Sequence, residues 1–263
     1  MKPELDNPFY YLDNFEKVLD WIAVRYSDLL DEPELAFLTS FGALPRAGRA
    51  LFVRMVMRKG SVFRASKLSY AEIGSLAEAA QPLVALGWVS SDPVLTLEQL
   101  FDLMHKNELA ALFHMPPAWR SARKDEQLAT LLPGYGAPRP FSAWSGASKE
   151  QAYQILLKPL CDRLRLIFFG NGYQDWSEFV LADLGVFRYE KVDFSAAARG
   201  FRCRRDIDDY LRLQLCKERH QAGLPLAAVL AELPPPALDN AWLASRRSRL
   251  LFQFAQQCEK DGV

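Results

Sequence analysis

The sequence predicts a mainly helical protein in three parts: a basic, winged-helix-like domain, a pair of short helices, and a longer helical region. Apolar residues recur at three- and four-residue steps through most of the chain, which is typical of amphipathic helices. Short extended segments follow the third helix, as the strands of a wing do. Stretches rich in Pro, Gly and Ser predict linkers at residues 91–95 and 133–148.

The first part covers residues 1–92. The spacing of Phe15, Val18 and Ile22 predicts its first helix, over residues 11–30. Further helices are predicted over 34–44, 49–58 and 69–86, the last interrupted or kinked by Pro82, with extended segments at 61–65 and from Trp88. This outline fits a winged helix-turn-helix, and it fits a small helical bundle equally well.

The second part covers residues 93–135, and the third covers 136–263. In the second part, leucine spacing predicts helices over 97–104, 107–113 and 122–132, with a proline-containing loop at 115–121. From residue 149 onward the chain is predicted to be mostly helical. Its elements are an apolar stretch at 164–175, a short helix at 179–186, a brief strand at 189–194, and helices at 207–222 and 242–260.

Composition excludes several classes of protein. The chain has 263 residues, half of them hydrophobic, which suffices for a substantial core, and its net charge is zero. Four widely spaced cysteines predict free thiols, and three histidines without cysteine partners argue against structural zinc. The apolar runs are too short to span a bilayer, and the first 20 residues lack a secretory pattern. We therefore expect a cytoplasmic protein.

A window of positive charge is the strongest functional signal. Between Glu34 and Glu72 the sequence contains no acidic residue and seven basic ones. These are Arg46, Arg49, Arg54, Arg58, Lys59, Arg64 and Lys67. Solvated helix faces usually mix both signs, so a single-sign stripe favours binding to phosphate. The alternative is an ordinary solvated face.

Two arginines of this window lie on one face of the third predicted helix. Arg54 and Arg58 are four residues apart, and arginine suits two-pronged phosphate contacts. Ser66, Ser69 and Tyr70 could add hydroxyl donors. Tyr70 could instead stack on a base or sugar, or it could be a half-buried core residue.

A second signal comes from the two short helices around residues 107–132. Arg123 and Lys124 open the second helix, after an extended loop. This arrangement has the outline of a SAP motif, in which backbone amides and a lysine at the start of the second helix face phosphate. Its leucines alone would be ordinary core residues.

A catalytic constellation is not recognisable in the sequence. Phosphate-binding loops, nucleophile elbows, deaminase motifs and HExxH zinc motifs are all absent. Asp206, Asp208 and Asp209 lie at a helix start, where carboxylates usually serve the helix dipole. The carboxylates around Lys191 lack the spacing of a metal-dependent nuclease.

Several motifs in order resemble the Fanconi-anaemia-associated nucleases, the VRR-NUC family. They are residues 9–15 (FYYLDNF), 51–60 (LFVRMVMRKG), 67–73 (KLSYAEI), 83–89 (LVALGWV), and the SAP-like residues from Glu108 to Leu128. By position in these motifs, Tyr10, Arg58 and Tyr70 match DNA-contacting residues of the family. Lys124 matches the basic start of the second SAP helix.

The resemblance also implies an architecture and an activity. Family members cut near 5′ flaps and branched junctions, act in interstrand-crosslink repair, and use Mg²⁺ or Mn²⁺. They consist of a DNA-binding region with a SAP motif, a TPR-like helical domain, and a C-terminal VRR-NUC catalytic domain. The last predicted helix resembles the first helix of a TPR-like pair, and the catalytic domain has no counterpart in this sequence.

We therefore predict the DNA-binding N-terminal part of a structure-selective nuclease, in the bacterial cytoplasm and associated with the nucleoid. Its expected partners are flapped or branched duplex DNA and its own C-terminal nuclease domain, with no membrane. It needs no cofactor itself, and Mg²⁺ or Mn²⁺ belongs to the catalytic domain. The predicted DNA contacts are Tyr10, Arg49, Arg54, Arg58, Lys59, Arg64, Lys67, Tyr70 and Lys124. The alternative is a helical protein-interaction module whose basic stripe binds an acidic partner.

Overall fold

A computed structural model describes residues 7–146, 150–176, 178, 199–236 and 239–261. The chain divides into two compact units. The first unit comprises the described parts of 1–16, 39–161 and 176–186, and the second those of 17–38, 162–175 and 187–263. Three helices contribute residues to both units: α1 (Tyr10–Arg25), α2 (Glu32–Ala43) and α10 (Lys158–Phe169).

The first unit is built around α3 (Arg46–Val56) and α4 (Leu76–Ala85). Leu51, Phe52 and Met55 of α3 are fully buried, as its apolar stripe predicts. The two helices approach closely at Gly48, where a Cβ atom would lie 3.3 Å from both Ala79 O and Pro82 Cγ. A glycine at this position therefore allows the tight packing of α3 on α4.

The fourth helix is shorter than predicted. Residues 69–75 are not helical, with a turn at 71–73, and Gly74 has a φ of 78°. The helix starts after Ser75, whose hydroxyl accepts a hydrogen bond from the Glu78 amide. The capping serine and the left-handed glycine before it end the turn segment and begin the helix.

The wing of the first unit is completed by a strand that lies in a region predicted to be mostly helical. Among the described residues, β1 (Val62–Arg64), β5 (Ala152–Ile155) and β2 (Val89–Ser90) form an antiparallel sheet in the order β1–β5–β2. Phe63 pairs with Tyr153, and Val89 pairs with Ile155. In the chain, β5 follows residues 93–135 and pairs with two strands that precede them.

The SAP-like part lies between β2 and β5. It contains β3 (Val94–Leu95), α5 (Leu97–Leu103), α6 (Lys106–Leu112), α7 (Pro117–Arg120), α8 (Lys124–Leu131), β4 (Arg139–Pro140) and α9 (Phe141–Ser145). Both predicted linkers hold structure, because β3 pairs with β4 and α9 buries Phe141 and Trp144. The Trp144 indole donates to Leu95 O at 3.0 Å. The loop predicted at 115–121 likewise contains the short helix α7.

The second unit contains α11 (Arg204–Gln221), α12 (Leu226–Ala231) and α13 (Ala241–Asp261). Its small apolar core includes Leu213, Cys216, Val229, Leu250 and Phe254. The helix predicted over 179–186 and the strand over 189–194 lie outside the described residues. All four cysteines lie in described segments and are free thiols, as predicted.

An ion-pair cluster stabilises the second unit. Glu34 is fully buried, and its carboxylate lies 2.8 Å from Arg163 Nε and 2.6 Å from Arg204 Nη1. The backbone amide of Asp31 also donates a hydrogen bond to the Glu34 carboxylate, at 3.0 Å. Because a buried carboxylate is stable only when it is paired, these partners make the burial of Glu34 possible.

Candidate nucleic-acid interface

Three of the seven cations of the basic window are paired with acidic residues from elsewhere in the chain. Arg49 pairs with Glu16. Arg54 pairs with Glu72 at 2.6 Å. Arg64 pairs with Glu150 at 2.8 Å and also with Glu108. The charge of the window is therefore partly balanced in the folded chain.

Arg54 is enclosed on two sides by aromatic rings. Its Cζ atom lies 3.8 Å from the ring centroid of Tyr11 and 4.8 Å from that of Tyr70. Burial opposes its charge, but the hydrogen bond to Glu72 and the interactions with Tyr11 together outweigh burial and raise the pKa of the guanidinium. In this position Arg54 supports the ring of Tyr70.

Glu72 completes this cluster. Burial opposes ionisation of its carboxyl group, but hydrogen bonds from Arg54, Tyr11 and the backbone, together with the charge of Arg54, outweigh burial and lower its pKa. The Tyr11 hydroxyl also donates to Glu72, at 3.1 Å, and burial raises the pKa of that hydroxyl. The charged pair is thus the stable form at neutral pH.

Arg58, Lys59 and Lys67 form a different group at the end of α3. None of the three has an acidic partner within the described ranges. Lys59 and Lys67 are exposed. Arg58 Nη1 lies 3.3 Å from the Tyr70 hydroxyl and 2.5 Å from Lys67 O. These contacts hold the arginine and the tyrosine together, and we call Arg58, Lys59, Lys67 and Tyr70 the α3-end cluster.

Arg64 connects the wing to the SAP-like part. Its guanidinium lies 2.7 Å from Glu108 on α6 and 2.8 Å from Glu150, just before β5. The hydrogen bond from Arg64 lowers the pKa of Glu108. Glu150 also accepts from the Ser66 hydroxyl, at 2.6 Å. With 12% of its side chain exposed, Arg64 serves this connection.

One contact between two aromatic rings and one aromatic–cation contact lie at the start of the chain's first helix. Tyr10 is the first residue of α1, and its half-buried ring meets that of Tyr11 edge-on, with centroids 5.6 Å apart. Arg46, which is exposed, lies over the ring of Phe9 at 4.0 Å. Tyr10 therefore neighbours the Tyr11–Arg54–Tyr70 stack through Tyr11.

In the SAP-like part, two lysines bridge neighbouring segments. Lys124, the first residue of α8, donates to Met104 O at 2.9 Å. Lys106, the first residue of α6, donates to Ser121 O at 3.1 Å. Sequence reasoning selected Lys124 and missed Lys106, although Lys106 shows the same signal, a lysine at a helix start.

The second unit holds a basic cavity that sequence reasoning did not select. The cavity has a volume of about 120 Å³ and is lined by Lys217 of α11, by Arg246 and Arg249 of α13, and by Tyr173 among others. Its described lining contains no carboxylate. The signal was present in the sequence as three arginines within residues 246–249, without a nearby acid until Glu259.

The described residues contain neither a candidate metal-binding group nor a helix that could span a membrane. No group of three or more His, Cys, Asp or Glu side chains in the part of the chain that the structure describes could hold a metal ion. No described helix is long and apolar enough to cross a bilayer.

Comparison with known proteins places these features in a family. Residues 9–90 match the family described as "FAN1, HTH domain", and residues 94–144 match the "Fanconi anemia-associated nuclease SAP domain". A Fanconi-associated nuclease 1 homolog from Pseudomonas aeruginosa is 54% identical over 98% of this chain. The chain belongs to the Fanconi-associated nuclease 1 family. It corresponds to the N-terminal part of that relative and spans 46% of the relative's length.

More distant relatives and solved structures agree with the family assignment. A Fanconi-associated nuclease 1 homolog from Oryza sativa is 31% identical over 88% of this chain and 24% of its own length. A crystal structure of paFAN1 bound to 2-nucleotide 5′-flap DNA with a gap superimposes with a TM-score of 0.92, covering 98% of this chain and 47% of that one. A second paFAN1 complex, with 1-nucleotide 5′-flap DNA, has a TM-score of 0.87. The mainly helical fold with HTH and SAP domains is thereby confirmed.

Proposed function

We propose that this chain is the DNA-binding N-terminal part of a structure-selective nuclease, and that it holds duplex DNA near a 5′ flap or branch through backbone contacts. The observation that carries the proposal is the α3-end cluster. Arg58, Lys59 and Lys67 lack acidic partners within the described segments, and Tyr70 adds a hydroxyl beside them. Cations without acidic partners in the described segments keep their charge available to neutralise phosphates.

The paired cations of the window have a different proposed role. Arg54 and Arg64 already satisfy carboxylates, and withdrawing them for DNA would leave partly buried carboxylates without a partner. Arg49 is likewise engaged by Glu16. We propose that these three arginines position the α3-end cluster and the wing. The groups that contact DNA are then those of the cluster itself: Arg58, Lys59, Lys67 and Tyr70. Tyr10 joins them through its contact with Tyr11.

The SAP-like part supplies a further phosphate-facing surface. Lys124 and Lys106 lie at helix starts, where the free backbone amides also favour anions. The basic cavity of the second unit, with Lys217, Arg246 and Arg249, fits phosphate groups for the same electrostatic reason. The proposed DNA contacts therefore lie in both units. Each contact is made to the sugar–phosphate backbone of the DNA, so the substrate is selected by the shape of the DNA and not by its base sequence.

Catalysis is proposed to reside outside this chain. The described residues do not fit Mg²⁺ or Mn²⁺, since no acidic cluster could hold such an ion. The Pseudomonas relative extends to about twice the length of the match. We place the VRR-NUC domain and its metal ions in that further part, and we propose interstrand-crosslink repair, nucleoid association and a TPR-like continuation of α11–α13 for the whole protein.

A salt titration tests the proposal. Fluorescence anisotropy would measure binding of this chain to 5′-flap DNA and to a continuous duplex of equal length. We expect tighter binding to the flap, with log K falling linearly against log salt. Absence of DNA binding even at low salt contradicts the proposal and leaves the protein-interaction module as the function.

A further inference from the structure

Trp119 is an exposed tryptophan on the SAP-like part. Its side chain is 41% exposed, and it contacts no other aromatic ring among the residues with described positions. The other tryptophans are buried or packed on an aromatic ring: Trp21, Trp88, Trp144, Trp176 and Trp242. An exposed indole that packs on no other ring among the described residues is typical of a contact residue for another molecule.

The backbone that carries this indole is held firmly. Trp119 O accepts a 2.8 Å hydrogen bond from the side-chain amide of Gln127, which is 1% exposed. Arg120, the next residue, donates from Nε to Met115 O at 3.1 Å. These bonds fix α7 against α8 and against the preceding loop, so that the indole is presented in a defined position.

The chain around Trp119 carries several basic side chains. Residues 109–124 contain no acidic residue and include Arg120, Arg123 and Lys124. Lys106 reaches Ser121 O, two residues after the tryptophan. Arg123 is balanced by acidic side chains of α8, whereas the two lysines and Arg120 have no acidic partner in the described part of the chain. This combination fits a polyanion that also offers flat apolar faces.

Nucleic acid offers such faces at interruptions of the double helix. In a continuous duplex, each base pair is covered on both faces by its neighbours, and a side chain reaches only the edges of the bases. A branch or flap exposes the face of a terminal base pair or an unpaired base. Aromatic side chains stack on such faces regardless of sequence.

We propose that Trp119 stacks on a base or base pair exposed at a DNA branch, and that this contact adds to the preference for branched over continuous duplex. The inference rests on the proposed DNA-binding function and names a residue that determines its substrate selectivity. Phosphate contacts can form with both branched and continuous duplex DNA. The stacking contact forms only where a base face is exposed, so it makes binding to branched DNA tighter.

The test compares three variants of this chain by fluorescence anisotropy on 5′-flap DNA and on a continuous duplex of equal length. Trp119→Ala removes the ring, Trp119→Phe keeps an aromatic face, and Leu132→Ala removes a similarly exposed apolar side chain of the SAP-like part as a control. We expect Trp119→Ala to weaken flap binding about tenfold and duplex binding by less than about twofold. Trp119→Phe retains most of the preference, and Leu132→Ala leaves both affinities unchanged.

Each other outcome overturns the stacking contact. An equal loss on both DNAs means that the indole supports the fold or touches the backbone, and the thermal unfolding midpoint distinguishes these two causes. Unchanged binding by Trp119→Ala also rejects it. In both cases the wild-type chain still binds the flap and the proposed function stands, whereas a wild-type chain that binds neither DNA contradicts both.

Discussion

Arg54 Nη2 lies 2.6 Å from Glu72 Oε1, and this ion pair closes the cluster that holds Tyr70 in place. The two side chains are 27% and 12% exposed. A pair that is mostly shielded from solvent is screened less than a surface pair.

Glu72→Gln removes the negative charge beside Arg54. We expect the free energy of unfolding to fall by about 1–2 kcal/mol at neutral pH, because a charged hydrogen bond is lost and partial exposure reduces its worth. Urea denaturation measures this loss. Because Glu72 anchors Arg54, which supports Tyr70, flap affinity should fall as well.

The pH dependence of this effect has a defined sign. The pKa of Glu72 is lowered in the folded chain, so its stabilisation is present above the pKa of the unfolded state and is lost as pH falls through the folded value. The stability difference between wild type and Glu72→Gln should therefore shrink in acid. A difference that persists after Glu72 is protonated contradicts the ion pair as its source.

Arg64→Ala breaks the connection between the wing and the SAP-like part. Glu108 and Glu150 lose a shared partner, and we expect a loss of about 2–3 kcal/mol in the free energy of unfolding, measured with urea. The slope of log K against log salt for DNA should not change, since Arg64 does not meet phosphate in this account. A shallower slope with unchanged stability would instead make Arg64 a DNA contact.

Lys124→Ala tests the SAP-like surface. Loss of its hydrogen bond to Met104 O should cost about 1 kcal/mol of stability. Because its ammonium is proposed to neutralise one phosphate, the salt slope should also fall by about 0.9. Lys124→Arg serves as the charge-conserving control and should keep the wild-type slope; an unaltered slope in Lys124→Ala rules out the phosphate contact.

Glu34→Gln tests the buried ion-pair cluster of the second unit. The substitution leaves Arg163 and Arg204 without their buried carboxylate, and we expect a loss of about 3–5 kcal/mol in unfolding free energy by thermal or urea denaturation. Glu232→Gln is the control, because its pair with Arg219 is about two-fifths exposed on both sides and should matter by less than about 1 kcal/mol. Similar losses in the two variants would show that burial of Glu34 is not the cause.

Local pattern predicted the helices of this chain well where a continuous apolar stripe existed. The stripe of α3, with Leu51, Phe52 and Met55, and the spacing in α1 and α11 all correspond to observed helices. Strand β5 was missed because its four residues pair with β1 and β2, which lie more than 60 residues earlier in the chain. No local pattern reports such a pairing.

The predicted linker at 133–148 failed for a related reason. Pro, Gly and Ser dominate its composition, yet Phe141 and Trp144 anchor it in the core of the SAP-like part. Two large aromatic residues outweigh the turn-forming residues around them, because their burial contributes several kcal/mol.

The basic window illustrates what sequence can and cannot reveal about a site. Its charge was visible, but the acids that pair with it come from distant positions: Glu16, Glu72, Glu108 and Glu150. Only the fold separates the cations that are already paired from Arg58, Lys59 and Lys67. The predicted contacts at these positions, and at Tyr10, Tyr70 and Lys124, stay predictions until DNA binding is measured.

The most direct measurement compares two double variants of equal charge by anisotropy on 5′-flap DNA. Arg58→Ala with Lys67→Ala removes two cations of the α3-end cluster, whereas Arg205→Ala with Arg219→Ala removes two cations that have carboxylate partners in the second unit. We predict that the first variant binds flap DNA at least about tenfold more weakly and shows a salt slope reduced by about 1.8, while the second binds like wild type. Equal affinities of the two variants would contradict the assignment of the α3-end cluster as the DNA-binding surface.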